Sequence, residues 1–137
     1  MRRFAAVGVV AAVASTGCGA SKPREVRATQ AEPSGCVVRV YFASRMVTGR
    51  AATRDEVRAV RERIASSSKV RTYAFVSKEL ALKHMAKKYP AMTQSLHGNP
   101  LPDSFRIVPR SSDDAHGLAS ELGSERGVEH VGVARAC

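Results

Sequence analysis

Apolar and polar positions change period several times along the chain, and each change marks an element. Val37-Val38-Arg39-Val40-Tyr41-Phe42 is β-branched and aromatic and predicts a first strand. Thr48, Gly49 and Arg50 read as loop. Thr53 and Glu56 have the S/T-x-x-E spacing of a capping box, and Val57, Val60 and Ile64 follow at helical spacing. Ser66-Ser67-Ser68 ends that helix. A second strand is predicted over Val70 to Val76, with Val70, Thr72, Ala74 and Val76 on one face and Tyr73 and Phe75 on the other. Ser77 caps a second helix reaching about Tyr89, with Glu79 in the first turn, where the helix dipole favours an anion. Pro90 suits a first helical turn, so Pro90 to Leu96 is a separate short helix. His97-Gly98-Asn99-Pro100-Leu101-Pro102 is a stiff turn, and Ser104 to Val108 is a third strand. Ser111 or Ser112 caps a further helix with Ala115, Leu118, Ala119 and Leu122 on its inner face. Gly127 turns the chain into a last strand carrying Val128, Val131 and Val133.

The order is β-α-β, a helical insert, then β-α-β. It predicts an α+β fold: a split β-α-β (ferredoxin-like) four-stranded antiparallel sheet with a two-helix insert lobe. The strand order of that arrangement is 4-1-3-2, which makes the first and last strands antiparallel neighbours. The domain is expected over residues 36–137, with the insert at 77–102.

The residues before it have another character. Arg2 and Arg3 precede an unbroken apolar and small-residue run from Phe4 to Ala14, then Ser15-Thr16-Gly17-Cys18. This is the three-part pattern of a secretory signal peptide over residues 1–17. The run is shorter than the roughly 20 apolar residues a spanning helix needs. Gly17 before Cys18 resembles a bacterial lipobox, although Ser15 stands where an aliphatic residue is usual. A plain cleaved signal with an incidental cysteine is the alternative. Residues 18–35 read as a lipidated cysteine and a flexible tether, rich in Pro, Ser, Gly and charge and without apolar periodicity. The mature chain would then sit on the outer face of the cytoplasmic membrane, held by lipid and with no transmembrane helix.

Three cysteines are an odd number, and an exported chain rarely leaves a thiol idle. Lipidation of Cys18 leaves Cys36 and Cys137 as a pair, in a compartment where disulfides persist. Cys36 stands just before the first strand and Cys137 just after the last. In the 4-1-3-2 order these meet at one sheet edge, with Cα atoms about 4.4–6.8 Å apart.

The net charge is +10, and +8 once Arg2 and Arg3 are removed. Such a balance often marks nucleic-acid binding, but export leaves anionic headgroups, anionic wall polymers and acidic proteins as partners. No catalytic constellation converges. His84, His97, His116 and His130 are scattered without H-x-x-x-H spacing, there is no C-x-x-C, Gly-rich phosphate loop or G-x-S-x-G, and Asp113-Asp114 form a helix-start acid pair. The reading is a protein that is not an enzyme and carries no metal or other cofactor.

Two segments carry a family resemblance. Val76-Ser77-Lys78-Glu79-Leu80-Ala81-Leu82 is similar to a "VSKEEAL" segment, departing at Leu80, and Asn99-Pro100-Leu101-Pro102-Asp103-Ser104-Phe105 to an "NPLPxSF" segment. Gly127-Val128 and Val131 match a closing "GV..V" strand. These resemble the extracellular domain of FtsX, the membrane subunit of a bacterial cell-division complex, over Val37 to Val133. In that family the domain lies between membrane spans and binds peptidoglycan hydrolases or their adaptors under ATP-driven motion. Here it follows a signal peptide and the sequence stops at Cys137, so the resemblance implies binding without that transmission. It also places the partner surface on the insert. Leu80, Leu82, Met85, Tyr89, Met92 and Leu96 are many apolar groups for two short helices, with Lys78, Lys83, Lys87 and Lys88 around them. Two readings stay open for these six: a partner surface, or packing between insert and sheet. Two also stay open for the whole: capture of a hydrolase or adaptor, or a basic lipid-anchored domain that binds anionic polymers or headgroups with no protein partner.

The Ser15-Thr16-Gly17-Cys18 junction generates a first test. A fatty-acid probe fed to cells should label the wild-type chain and not Cys18→Ala. Equal labelling of the two would remove the anchor.

Overall fold

A computed structural model describes residues 21–28 and 35–137. The predicted signal peptide, Cys18 and part of the expected tether lie outside the described residues. The elements are β1 (Arg24–Glu25), β2 (Val38–Phe42), α1 (Arg45–Thr48), α2 (Arg54–Ser66), β3 (Val70–Val76), α3 (Lys78–Lys88), α4 (Pro90–Gln94), β4 (Ser104–Pro109), α5 (Ser112–Gly123) and β5 (Val128–Val133). The sheet order is β1-β3-β4-β2-β5. Its last four members are antiparallel neighbours in the expected 4-1-3-2 arrangement. No helix among the described residues is long and apolar enough to cross a membrane.

Alternation along the strands divides the sheet into two faces. Val38, Val40, Phe42, Tyr73, Phe105 and Ile107 form one face, and Val60 and Ile64 of α2 with Ala115, Leu118 and Leu122 of α5 close it. At its centre is Phe105, fully buried, with Phe42, Tyr73 and Phe75 edge-to-face at centroid distances of 5.7, 6.2 and 5.3 Å. The Arg61 guanidinium lies over the rings of Phe75 and Phe105 at 5.6 and 5.7 Å.

The expected caps form. The Thr53 side chain accepts from the Glu56 N–H at 3.2 Å, and the Glu56 carboxylate accepts from the Thr53 N–H at 2.9 Å. Glu56 also accepts from Arg50 at 3.0 Å. The Arg50 hydrogen bond first, and the Thr53 N–H next, hold its carboxyl below the usual range. Gly127 closes over this group. Its φ is +82°, and a Cβ there would come 2.9 Å from the Glu56 Cβ, so the turn into β5 needs glycine on both counts. Ser111 caps α5, accepting from the Asp114 N–H at 3.1 Å.

Three expectations need correction. The sheet has five strands rather than four, and it is mixed, because β1 runs parallel to β3. The strand lies within the stretch read as a flexible tether. Two exposed residues held by backbone bonds leave no periodic trace in a sequence. Val70 also changes face. The β3–β4 register shifts between Val70 and Thr72, which turns Val70 into the main core while Thr72, Ala74 and Val76 keep the other face. Finally, Thr48, read as loop, is the last residue of the short helix α1, which Gly49 ends at a φ of 74°.

Cys36 and Cys137 are joined by a disulfide with a Cα–Cα distance of 4.4 Å. Val38 pairs with Val133, which brings the start of β2 beside the end of β5. The bridge closes a loop with a sequence separation of 101, for which chain entropy gives about 4.7 kcal/mol before native strain. Mass mapping should find the two cysteine peptides joined. Reduction, or the double Cys→Ser variant, should lower the melting temperature by on the order of 10 °C. An unchanged melting temperature would show that the bridge adds nothing.

Candidate functional site

The second face of the sheet is not covered by α2 or α5. It presents Arg39 and Tyr41 from β2, Ser104 and Arg106 from β4, and Ala74 and Val76 from β3. Arg39 and Arg106 stand opposite each other in register, and both are engaged by other groups in the protein. The lobe formed by α3 and α4 overhangs this face. Between lobe and sheet lies a groove of about 850 Å³. Val76, Met85, Tyr89, Leu101 and Pro102 give it apolar walls, Arg39, Lys87, Lys88 and Arg106 give it positive charge, and His84 also lines it. Among the described residues no Asp or Glu lines it.

The Asn99-Asp103 segment fixes the lobe. The Lys78 N–H donates to Asp103 Oδ1 at 2.8 Å, an anion at the start of α3 where the helix dipole favours one. Ser77 Oγ accepts from the Leu80 N–H at 3.2 Å. Asn99 Nδ2 donates to the Lys78 carbonyl at 2.7 Å, while Asn99 Oδ1 accepts from the Leu101 N–H at 3.1 Å. The Phe42 N–H donates to the Asp103 carbonyl at 3.0 Å. One segment thus ties the first turn of α3 to the end of β2 and delivers Phe105 to the core. Within the lobe the chain breaks at Tyr89, and Pro90 opens α4.

The six apolar residues of the insert fall into different settings, and none of them is buried. Tyr89 is 47% exposed and Met92 62% exposed. Leu80, Leu82, Met85 and Leu96 are half-buried. Met85 and Tyr89 line the groove, whereas Leu80, Leu82, Met92 and Leu96 do not. Leu80 turns inward against Ala74, Val76 and Ala28. Lys88 lies 5.3 Å from the Tyr89 ring. The sheet side of the groove escaped the sequence reading. Its signal was the alternation in Val38-Arg39-Val40-Tyr41-Phe42, which puts Arg39 and Tyr41 together on the face opposite the valines. Met46 and Val47 on α1 form another exposed apolar pair that the sequence did not single out.

Among the described residues no group of three or more His, Cys, Asp or Glu could hold a metal. His130 stacks on Tyr41 at 6.1 Å.

The model of the FtsX extracellular domain matches residues 36–136. The chain belongs to the FtsX extracellular domain family. This is a family of extracellular modules of bacterial cell division. Two solved structures share the FtsX domain fold. The crystal structure of extracellular domain 1 of FtsX from Streptococcus pneumoniae, in complex with undecyl-maltoside, is 21% identical, with a TM-score of 0.56, and covers 77% of this chain and 98% of its own. The solution structure of the large extracellular loop of FtsX in the same species is 16% identical, with a TM-score of 0.53 and coverages of 72% and 98%. No curated protein matches the chain. The FtsX match includes both motif segments and the whole lobe, and it begins after β1.

Asn99 bonds both the start of α3 and the turn that follows it. Asn99→Ala should cost about 1 kcal/mol in denaturant unfolding, the usual net worth of such hydrogen bonds, and hydrogen exchange should quicken in α3 before α5. A change below about 0.5 kcal/mol would deny the residue this role.

Proposed function

We propose that this chain is a non-enzymatic, extracytoplasmic FtsX-type binding module, lipid-anchored through Cys18, that captures a peptidoglycan hydrolase or its adaptor on the lobe and groove. The observation that carries the reading is the exposure of Tyr89 and Met92 on a lobe with no buried side chain in either helix. Large apolar groups held in water beside a roomy groove favour a partner that covers them. Methionine suits such a surface because its unbranched thioether adapts to the shape it meets. Neutral and basic side chains line the groove, so an acidic, partly apolar segment is the complementary form of partner. Lipidation together with a folded head would keep the capture surface near the wall. Anchoring of that kind needs more than one acyl chain to hold.

A second reading rests on the charge of the same groove. Arg39, His84, Lys87, Lys88 and Arg106 could hold an anionic polymer or headgroup with no protein involved. The two differ in what salt does. Attraction between exposed charges is screened within about 8 Å at physiological ionic strength and more strongly above it, while apolar contact persists.

The test is direct titration of the purified chain with the organism's own peptidoglycan hydrolases and their adaptors. Met85→Asp with Tyr89→Asp should raise Kd at least about 30-fold, the effect of losing an interface hot spot of roughly 2 kcal/mol. Binding should survive a change from 0.15 to 0.5 M salt within about threefold, against the steep loss expected of screened charges. No hydrolase segment binding at all, together with salt-sensitive binding to wall polymer, would replace this reading by the second.

A further inference from the structure

Residues 21–28 lie outside the stretch matched by the FtsX domain, which is 36–136, yet they are built into the sheet. Arg24 pairs with Thr72 and Glu25 with Tyr73, and the Val26 N–H extends the ladder with a 2.8 Å bond to the Tyr73 carbonyl. Side chains fasten the same segment. Tyr73 Oη donates to Glu25 at 3.4 Å, and Glu25 lies 3.6 Å from Arg61. The Arg110 guanidinium donates to the Ser21 carbonyl. Past β1 the segment turns onto the second face of the sheet. There Ala28 is buried with Ala74 and Val76, and Val26, Leu80 and Ala81 pack against them.

Leu80 and Ala81 belong to the beginning of α3. That helix has no buried residue, so its hold on the sheet is shallow, and this small cluster is where it rests. From the sheet alone the seat would be Ala74 and Val76; Val26 and Ala28 complete it. We propose that residues 21–28 are a positioning strap for the lobe, in which Val26 and Ala28 set the seat of α3 and thereby the opening of the groove. The lobe and the strap share one cluster, so each biases the other. Displacing the strap loosens α3, and moving α3 loosens the strap, a coupling that is reciprocal by necessity. The segment lies between Cys18 and the domain in sequence, so, on the anchoring proposed above, a pull from the membrane side would reach the lobe through it. This inference concerns the packing of α3 and does not require the partner to be known.

Hydrogen exchange with mass detection on the whole chain, disulfide intact, tests it. In Val26→Asp and in Ala28→Asp the amides of Ala81 to Met85 should exchange about tenfold faster, as for a local opening made easier, while those of α2 and α5 keep wild-type rates. Val26→Ile should restore wild-type behaviour throughout. Glu25→Gln weakens the strap without placing a charge in the seat. It should shift α3 in the same direction by about threefold, and it remains informative if the Asp variants fail to fold. The reciprocal variant Leu80→Asp should quicken exchange at Val26 and Ala28. Wild-type α3 rates in the strap variants, equal acceleration of every element, or an unchanged strap in Leu80→Asp would each overturn the proposal.

Discussion

A sheet has two faces, and each must be closed or made polar. In this chain α2 and α5 are spent on one face, where Val60, Ile64, Leu118 and Leu122 meet the valines of β2 and the Phe105 cluster. That arrangement is the main source of stability, because it is where large apolar side chains leave water completely. The remaining structure answers the other face. Arg39, Tyr41 and Arg106 make part of it polar, and a small apolar cluster of Ala28, Ala74 and Val76 closes another part. The lobe stands over what is left.

The Asn99-to-Phe105 segment joins these two problems. Its first five residues hold the first turn of α3 through Asn99 and Asp103. Its last residue is the ring at the centre of the aromatic cluster. Neither proline needs a chemical role. Each restricts the residue before it to extended geometry, which keeps the return from the lobe stiff over a few residues. A lobe with little buried surface of its own is therefore held at its base by hydrogen bonds and by the main core indirectly, while its outer end stays free to present Tyr89 and Met92.

This division of labour suits the binding role proposed above. Elements with few buried apolar contacts open at low free-energy cost, whereas core strands and helices open only with the whole domain. The disulfide between Cys36 and Cys137 reinforces the rigid part, since it joins β2 to the chain end beyond β5, on the far side of the sheet from the strap. The soft part is the lobe and its seat. A basic groove with apolar walls lies between the two.

Much of this was written in the order of residues. The alternation of β2, the Thr53 and Glu56 capping box, Ser77, Pro90 and Ser111 are local signals, and local backbone chemistry obeyed them. The 4-1-3-2 order of four strands and the meeting of Cys36 with Cys137 followed from those elements, because short connections leave few ways to pair them. Tertiary structure decided what depends on neighbours far along the chain. A register shift against β4 moved Val70 to the core face. Two exposed residues, Arg24 and Glu25, became a strand only because β3 offered an open edge. Leu80 turned inward while Tyr89 and Met92 stayed out, although all three read alike in sequence. The groove itself joins residues of β2, β3, α3 and β4, and no spacing along the chain encodes a juxtaposition made by folding one face of a sheet beneath a helix.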